Sequence, residues 1–347
     1  MKTILIFEPY LQKGHKFDNN QIVSILSNKY KLLIPNPHNY YEVKSPNITY
    51  LNIPELNREG HGKYLTRIIC FLNFILIRLS ILCRKYDHIL VMAYHTPHFK
   101  YQYRMMPNKP ITIFEQFNID RLSDKRERDA YFTFCNKVGH MVYATYLKEY
   151  LESIGVDKKN IYVIAHPVSM VDTKAPVLSK VIGYKHILCP GLSNDNELLK
   201  EIIEYEKKTH LLEENKIILT LRYDLGDMLL PKSINIMKGY LSAEDYDNLY
   251  KQSDGILVAY PPNYAYRFSG VILNSLCVHK VVFGNDIRIV QYFSANYPNN
   301  CRLYKTVEDL FSIIITDFVY DEKEFEILKE KHSEASVLKS FDLFLNK

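Results

Sequence analysis

Residues 266–274 read Tyr-Arg-Phe-Ser-Gly-Val-Ile-Leu-Asn and set a guanidinium, a hydroxyl and a glycine just ahead of an apolar run. Where a Ser-Gly pair opens a helix, the first backbone N–H groups lack intrahelical partners and the helix dipole adds positive charge. That arrangement receives phosphate. Ser269 and Gly270 supply the amides, and Gly270 lets the backbone approach a ligand closely. Arg267 can fork onto phosphate oxygens and offset the charge of a departing group. The chemistry expected here is the binding of a nucleotide diphosphate. A plain helix cap at Ser269 and a surface arginine at 267 are the alternatives.

Other candidates stand at the ends of apolar runs, where open α/β sheets bind ligands. Arg222 ends the run Ile217–Leu221 and has Asp224 close by as an alternative partner. Gly191 and Ser193 follow Ile187-Leu188, in a turn that either faces a diphosphate or only connects. Gly14-His15 follows the first apolar run. The glycine can open space for a ligand, and His15 is either a base or hydrogen-bond partner, or a surface histidine. Glu115, with Gln116 beside it, ends Ile111–Phe114. It is read either as a group that meets an acceptor hydroxyl or as an exposed loop carboxylate. His95 and His98 flank Pro97 in no familiar metal spacing and stand as acceptor-side candidates. The six cysteines form no Cys-x-x-Cys pair, so a zinc site is not expected and reduced thiols in a cytoplasmic protein are.

These groups need elements to hold them. Apolar runs at Ile4–Phe7, Lys31–Ile34, Ile48–Leu51, His88–Met92, Ile111–Phe114, Met141–Tyr143 and Ile161–Ile164 alternate with helical spacing at Asn19–Leu26 and Tyr146–Ile154. After His166-Pro167-Val168 the pattern restarts. Strands are expected at Ile187-Leu188, Lys216–Leu221, Ile234–Met237, Gly255–Tyr260 and Val281–Phe283. Helices are expected at Asn196–Lys207, at Ala243–Gln252 behind Ser242, and after Ser269. Alternation of this kind predicts mainly parallel sheets covered on both faces. The 347 residues allow two such domains. We place them at 1–168 and 169–320, with a helical tail at 321–347 that can cross back to the first domain. Apolar residues at 47% against 24% charged exclude a disordered chain. A net charge of +5 fits an anionic ligand or membrane surface without demanding nucleic acid, and none is expected. The N-terminus reads as a first strand rather than a signal peptide.

The stretch Tyr64–Cys83 is apolar but broken by Arg67 and Arg78, so it falls short of a membrane span. On a helical wheel Lys63, Arg67, Arg78 and Lys85 share a narrow stripe with Phe71 and Phe74. Basic residues among phenylalanines suit the interface of an anionic bilayer. The alternative is a buried helix whose arginines reach back to water.

The two α/β halves, the His-Pro-Val junction and the segments Leu188-Cys-Pro-Gly191, Gly239-Tyr-Leu-Ser242, Leu249-Tyr-Lys-Gln-Ser-Asp254, Arg267–Asn274 and His279-Lys-Val-Val282 together resemble a GT-B glycosyltransferase of the group acting on bacterial surface polysaccharides. The likeness covers most of residues 160–310 and is weaker before them. It implies two Rossmann-like domains facing across a cleft, with a nucleotide-sugar donor on the second and a glycan or lipid-linked acceptor on the first. It places Arg222 near the diphosphate, Tyr240 and Leu241 near the base, where core packing is the alternative, and no metal or other cofactor in the reaction. Many retaining relatives carry a Glu-x7-Glu pair where this chain has Tyr266 and Asn274. Asn274 can still bond a ribose hydroxyl or serve only as a helix-face residue. Inversion would call for a base, for which His15 or Glu115 is the candidate. The expected activity is sugar transfer in surface polysaccharide synthesis, in the cytoplasm or on the inner face of the membrane. The rival readings are a sugar epimerase, a polyol-phosphate transferase, and a non-catalytic glycan-binding or partner-stabilising relative.

Overall fold

Runs such as Ile4-Leu-Ile-Phe7 have no accessible surface, as strands covered on both faces must. The computed structural model describes residues 1–10, 15–36, 39–54, 56, 62–116, 118–168, 183–223, 229–239 and 243–346. Gly14, Tyr240 and Leu241 lie outside the described residues, as does Asp224. The first sheet contains β1 (Thr3–Phe7), β2 (Lys31–Pro35), β3 (Ile48–Leu51), β4 (His88–Val91), β5 (Ile111–Phe114), β6 (Gly139–Val142) and β7 (Ile161–Val163). Its strands pair in parallel in the order β3-β2-β1-β4-β5-β6-β7. The second contains β8 (Lys185–Cys189), β9 (Ile217–Arg222), β10 (Ile234–Met237), β11 (Gly255–Val258), β12 (Val281–Asn285) and β13 (Cys301–Tyr304). Its order is β10-β9-β8-β11-β12-β13, again parallel. In each sheet the winding reverses beside the first strand, β1 against β4 and β8 against β11. At such switch points the loops leaving the carboxyl ends diverge and leave room for a ligand.

The chain forms two compact units, one of Met1–Pro167 with His332–Lys347 and one of Val168–Lys331. The C-terminal tail is therefore divided between them. Helix Glu322–Lys331 stays with the second unit, where the Glu324 carboxylate accepts from the amides of Asn299 and Asn300 and Phe325 lies 4.0 Å from the His279 ring. Helix Glu334–Leu345 belongs to the first unit. Lys2 Nζ donates to the Leu345 carbonyl at 2.7 Å, Tyr30 donates to Asp342, and Phe344 packs 5.1 Å from Tyr162. All six cysteines are free thiols, and only Cys83 among them is exposed.

The apolar stretch in the first unit is the single helix Lys63–Ser80. One face, with Ile69, Cys70, Phe74 and Ile77, is buried, and Phe74 meets Phe7 edge-on at 5.8 Å. Phe74 thus belongs to the core, not to a basic surface stripe. The exposed apolar residues are instead Leu65, Ile68, Leu72 and Leu79, spaced along the opposite face, with Phe71 beside them. Arg78 is tied down, its Nε donating to the Met105 carbonyl at 3.0 Å. The side chain of Lys63 lies outside the described residues, and Lys85 follows the end of the helix.

Candidate functional site

In the second unit, the carboxyl edge of the sheet is held by side chains that pin its loops. The Asn285 side chain, at the end of β12, accepts from the Tyr260 amide at 2.9 Å and donates to its carbonyl at 2.7 Å. This fixes the start of the loop that runs to Ser269. The Tyr260 hydroxyl lies 2.6 Å from Ser269 Oγ. Ser269 is the N-cap of helix Gly270–Cys277, and its Oγ accepts from the Ile272 amide at 3.0 Å. The hydroxyl is thereby committed inside the protein, and Ser269 is only 5% exposed. The cap leaves the amides of Gly270 and Val271 as the first-turn donors that point out of the helix. Gly270 is exposed, and a Cβ built there would meet no atom within 4 Å. Asn274 stands one turn on, exposed on the same face.

The Arg267 guanidinium lies over the Tyr264 ring at 4.0 Å, and Tyr264 stacks on Tyr260 at 5.6 Å with the rings 22° apart. This cation–aromatic layer holds the arginine in the loop that leads to the helix. Tyr266, half-buried, lies in the same loop. Neither Tyr264 nor Asn285 stood out in the sequence. Tyrosine is too common here to signal a stack, and the asparagine's value depends on the strand that it faces.

The neighbouring turn follows β8. The Asn194 side chain folds against Gly191, donating to the Gly191 carbonyl at 2.7 Å, so a Cβ at Gly191 would lie 2.6 Å from Asn194 Oδ1. Ser193 is exposed at the tip of this turn. Arg222, 8% exposed, donates to the Gly239 carbonyl through Nε and Nη2 at 3.1 and 2.7 Å, and through Nη1 to the Pro190 carbonyl at 3.3 Å. Its guanidinium therefore clamps two loops, and three of its N–H donors are engaged with backbone.

In the first unit, His15 precedes helix Lys16–Ser27 and Asp18 lies in the first turn of that helix. Asp18 Oδ2 is 3.8 Å from His166 Nε2, and the His166 ring packs against Tyr143 at a tilt of 45° with centroids 4.3 Å apart. Burial pushes Asp18 up to about 6, with the nearby His15 opposing the shift. Burial pushes His15 down, opposed by Asp18. His166 is held at about 4, chiefly by burial. A histidine kept neutral beside a carboxylate is the pairing a general base needs, since the carboxylate orients the ring and stabilises the imidazolium as it forms. Asp18 and His166 did not stand out in the sequence. An i, i+3 pairing of His15 and Asp18 was a visible signal for the first of them.

Glu115 differs from the expected edge carboxylate. Its side chain has no accessible surface. Oε2 accepts from the Tyr94 hydroxyl at 2.7 Å, while Oε1 accepts from the Tyr131 hydroxyl at 2.9 Å and lies 2.8 Å from His140 Nδ1. His140 Nε2 faces the Cys135 carbonyl at 2.7 Å. A sealed carboxylate cannot take a proton from an acceptor hydroxyl, so Glu115 belongs to the core of its unit. His95 lies elsewhere, with its ring 4.6 Å from His98 on the wall of a cavity that also carries Arg67.

No family model matches the sequence, and no curated protein matches it either. Solved structures do resemble it. Sucrose-phosphate synthase from Thermosynechococcus elongatus aligns over 100% of this chain and 99% of its own, with a TM-score of 0.68 at 10% identity. HepE from Anabaena, solved in complex with UDP and glucose, aligns over 100% of both chains with a TM-score of 0.64 at 11% identity. The lipopolysaccharide outer core galactosyltransferase WaaB aligns over 100% of this chain and 99% of its own, with a TM-score of 0.62 at 13% identity.

Proposed function

We propose that this chain, whose fold is that of the GT-B glycosyltransferases, moves a sugar from a nucleotide-sugar donor to a hydroxyl of a glycan or lipid-linked acceptor in surface polysaccharide synthesis. The observation that carries the reading is the open first turn of helix Gly270–Cys277, built onto a loop that also holds Arg267. HepE, with the same fold, is solved with UDP and glucose. In this reading the Gly270 and Val271 amides and Arg267 hold the diphosphate and stabilise its charge as it leaves. Asn274 meets the ribose, and Tyr266, Gly191 and Ser193 line the donor. Arg222 positions the turns around it. His15, oriented by Asp18, takes the acceptor's proton, and His95 stands on the acceptor side. The counter-charge comes from amides and arginine, and no metal or other cofactor is assigned.

Thermal unfolding with UDP, GDP, CDP and dTDP compounds, in a buffer containing EDTA, tests this. A ligand at a hundred times its dissociation constant adds about 2.7 kcal/mol of apparent stability. Arg267→Ala and Gly270→Val should abolish that shift while unfolding near the parent temperature. The valine meets no protein atom at its Cβ and intrudes where the phosphate would lie. If both variants keep the shift, the donor phosphate binds elsewhere.

We also propose that the exposed face of helix Lys63–Ser80 rests on the inner leaflet of the membrane. Among the described residues no helix is long and apolar enough to cross a membrane. Leu65, Ile68, Leu72 and Leu79 instead present a solvent-facing apolar strip with Arg67 and Arg78 on the same helix. That pairing of apolar surface and cations matches an anionic interface. The chain should sediment with vesicles containing phosphatidylglycerol and far less with pure phosphatidylcholine. Ile68→Glu with Leu79→Glu should abolish sedimentation. Unchanged sedimentation of the double variant would reject the contact.

A further inference from the structure

Between helix Lys63–Ser80, the segment from His95 to Met105 and helix Lys125–Tyr131, the first unit has a cavity of about 840 Å³. Three arginines line it, Arg67, Arg104 and Arg126, against one acidic residue, Glu127. An excess of cations around one concavity raises the local concentration of anions. Arginine in particular matches the oxygen geometry of a phosphoryl group through paired N–H donors.

The inner wall adds a second and independent observation. Gln102 is 2% exposed and lines the cavity, yet its Oε1 has no hydrogen-bond partner. His95 Nδ1, on the same wall, is buried and also without one. A buried polar atom left unpaired destabilises the fold, so two on one wall point to a ligand that satisfies them. The Gln102 amide can turn by 180° to present either N–H or C=O to that ligand. His98 is already engaged, with Nδ1 3.2 Å from the Tyr10 hydroxyl.

The remaining wall is apolar. Phe71, Tyr101 and Met105 are each about half exposed, at 43%, 55% and 41%. Phe71 continues into the exposed strip of Leu65, Ile68 and Leu72. A neutral sugar needs neither three guanidiniums nor an apolar flank. A phosphoryl group attached to hydrocarbon uses both.

We propose that this cavity is a binding site for a phosphoryl group carried on an apolar chain, with Arg67, Arg104 and Arg126 on its oxygens and Gln102 as the inner contact. The phosphoryl group comes either from a lipid headgroup in the bilayer or from a soluble phosphate ester. The site is measured by binding alone, so its failure is separate from failure of the transfer reaction or of the donor site at Gly270.

The positive surroundings leave a readable mark on the two histidines. His95 is pushed down to about 4 by burial first, then by His98, Arg121, Arg67 and Arg126. His98 is lowered by burial and by Arg67 and Arg126. Glu127 is the acidic residue that lines the same cavity. A bound phosphoryl dianion would offset the arginines and move both imidazoles back up, which the ring proton signals report.

The test is titration of the full chain with octyl phosphate, inorganic phosphate and octyl glucoside, followed by calorimetry and imidazole NMR. Octyl phosphate should bind, inorganic phosphate more weakly, and octyl glucoside not at all. Arg104→Gln with Arg126→Gln, both exposed, should weaken octyl phosphate at least tenfold without changing the unfolding temperature. Gln102→Leu should weaken it several-fold. His95 and His98 should titrate at higher pH in the bound state. Vesicles of phosphatidylglycerol that compete with octyl phosphate identify the headgroup as the source, and vesicles that do not compete identify a soluble ester. Either result supports the site. Absence of phosphate binding, equal binding of octyl glucoside, or unchanged affinity in the arginine double variant would overturn it.

Discussion

Replacing Glu115 by alanine is expected to lower the unfolding free energy of the first unit by about 3–5 kcal/mol, the usual cost of removing one member of a buried pair. The geometry gives the reason. Cys135 offers only a carbonyl to His140 Nε2, so that nitrogen must donate. The other ring nitrogen faces a carboxylate oxygen. The Tyr131 hydroxyl lies 3.0 Å from the same ring nitrogen, so Glu115, His140, Tyr94 and Tyr131 form one closed buried cluster. Removal of the carboxylate leaves the Tyr94 hydroxyl without this acceptor and Tyr131 and His140 Nδ1 with only each other, around a void. Burial holds both phenols well above their ordinary range, so they remain donors. Glu115→Gln keeps the volume and one acceptor, and should cost only about 1–2 kcal/mol. Urea unfolding measures both. A Glu115→Gln variant of unchanged stability and abolished transfer would instead return this carboxylate to the reaction.

Loss of the imidazole in His15→Ala is expected to reduce kcat by about 10²–10⁴-fold, the usual contribution of a positioned general base, with little change in KM for the donor. His15 is held below its ordinary pKa by burial, so the base form is present at neutral pH. Asp18 titrates at about 6. As pH falls through that value the carboxylate takes up its proton and no longer supports the imidazolium, so kcat/KM should decline below about pH 6. Asp18→Asn should remove that acidic limb and lower the plateau. Its effect on stability runs the other way. A carboxyl whose pKa is raised on folding binds its proton more tightly in the folded chain. Its ionisation therefore costs stability above about pH 6, and the cost vanishes as pH falls toward 4. With 31% of the side chain accessible, the gain in Asp18→Asn should be about 1–2 kcal/mol at pH 8 and near zero at pH 4. A variant that loses both stability and activity at pH 8 would show Asp18 to be structural.

Much of the fold was legible because fully buried parallel strands are written as apolar runs. Ile4–Phe7, Ile111–Phe114 and Gly255–Val258 fall where the residues indicate. Strand β13 was not read, because Cys301-Arg-Leu-Tyr304 is short and carries a charge that a final strand can turn to water. Helix Arg288–Asn296 escaped for a related reason, since polar residues interrupt its buried set of Ile289, Val290 and Phe293. Phe74 was grouped with Arg67 and Arg78 because a helical wheel orders residues by angle and does not say which side the sheet lies on. Apolar residues on both faces of this helix make that ambiguity larger.

For this protein, residue order alone determined two parallel α/β units, the helix start at Ser269-Gly270 and the placement of Arg222 and Gly191 at strand ends. Those features depend on neighbours a few residues apart, and local periodicity and capping carry them. Tertiary structure decided which of the marked side chains face solvent. Glu115 turned inward because His140, 25 residues on, came to lie beside it. Arg222 clamps Gly239 and Pro190, and Asp18 gained His166 across most of the first unit's length. The charge state and reach of an ionisable group follow from burial and from partners far off in the chain, so those roles appear only once the chain has folded.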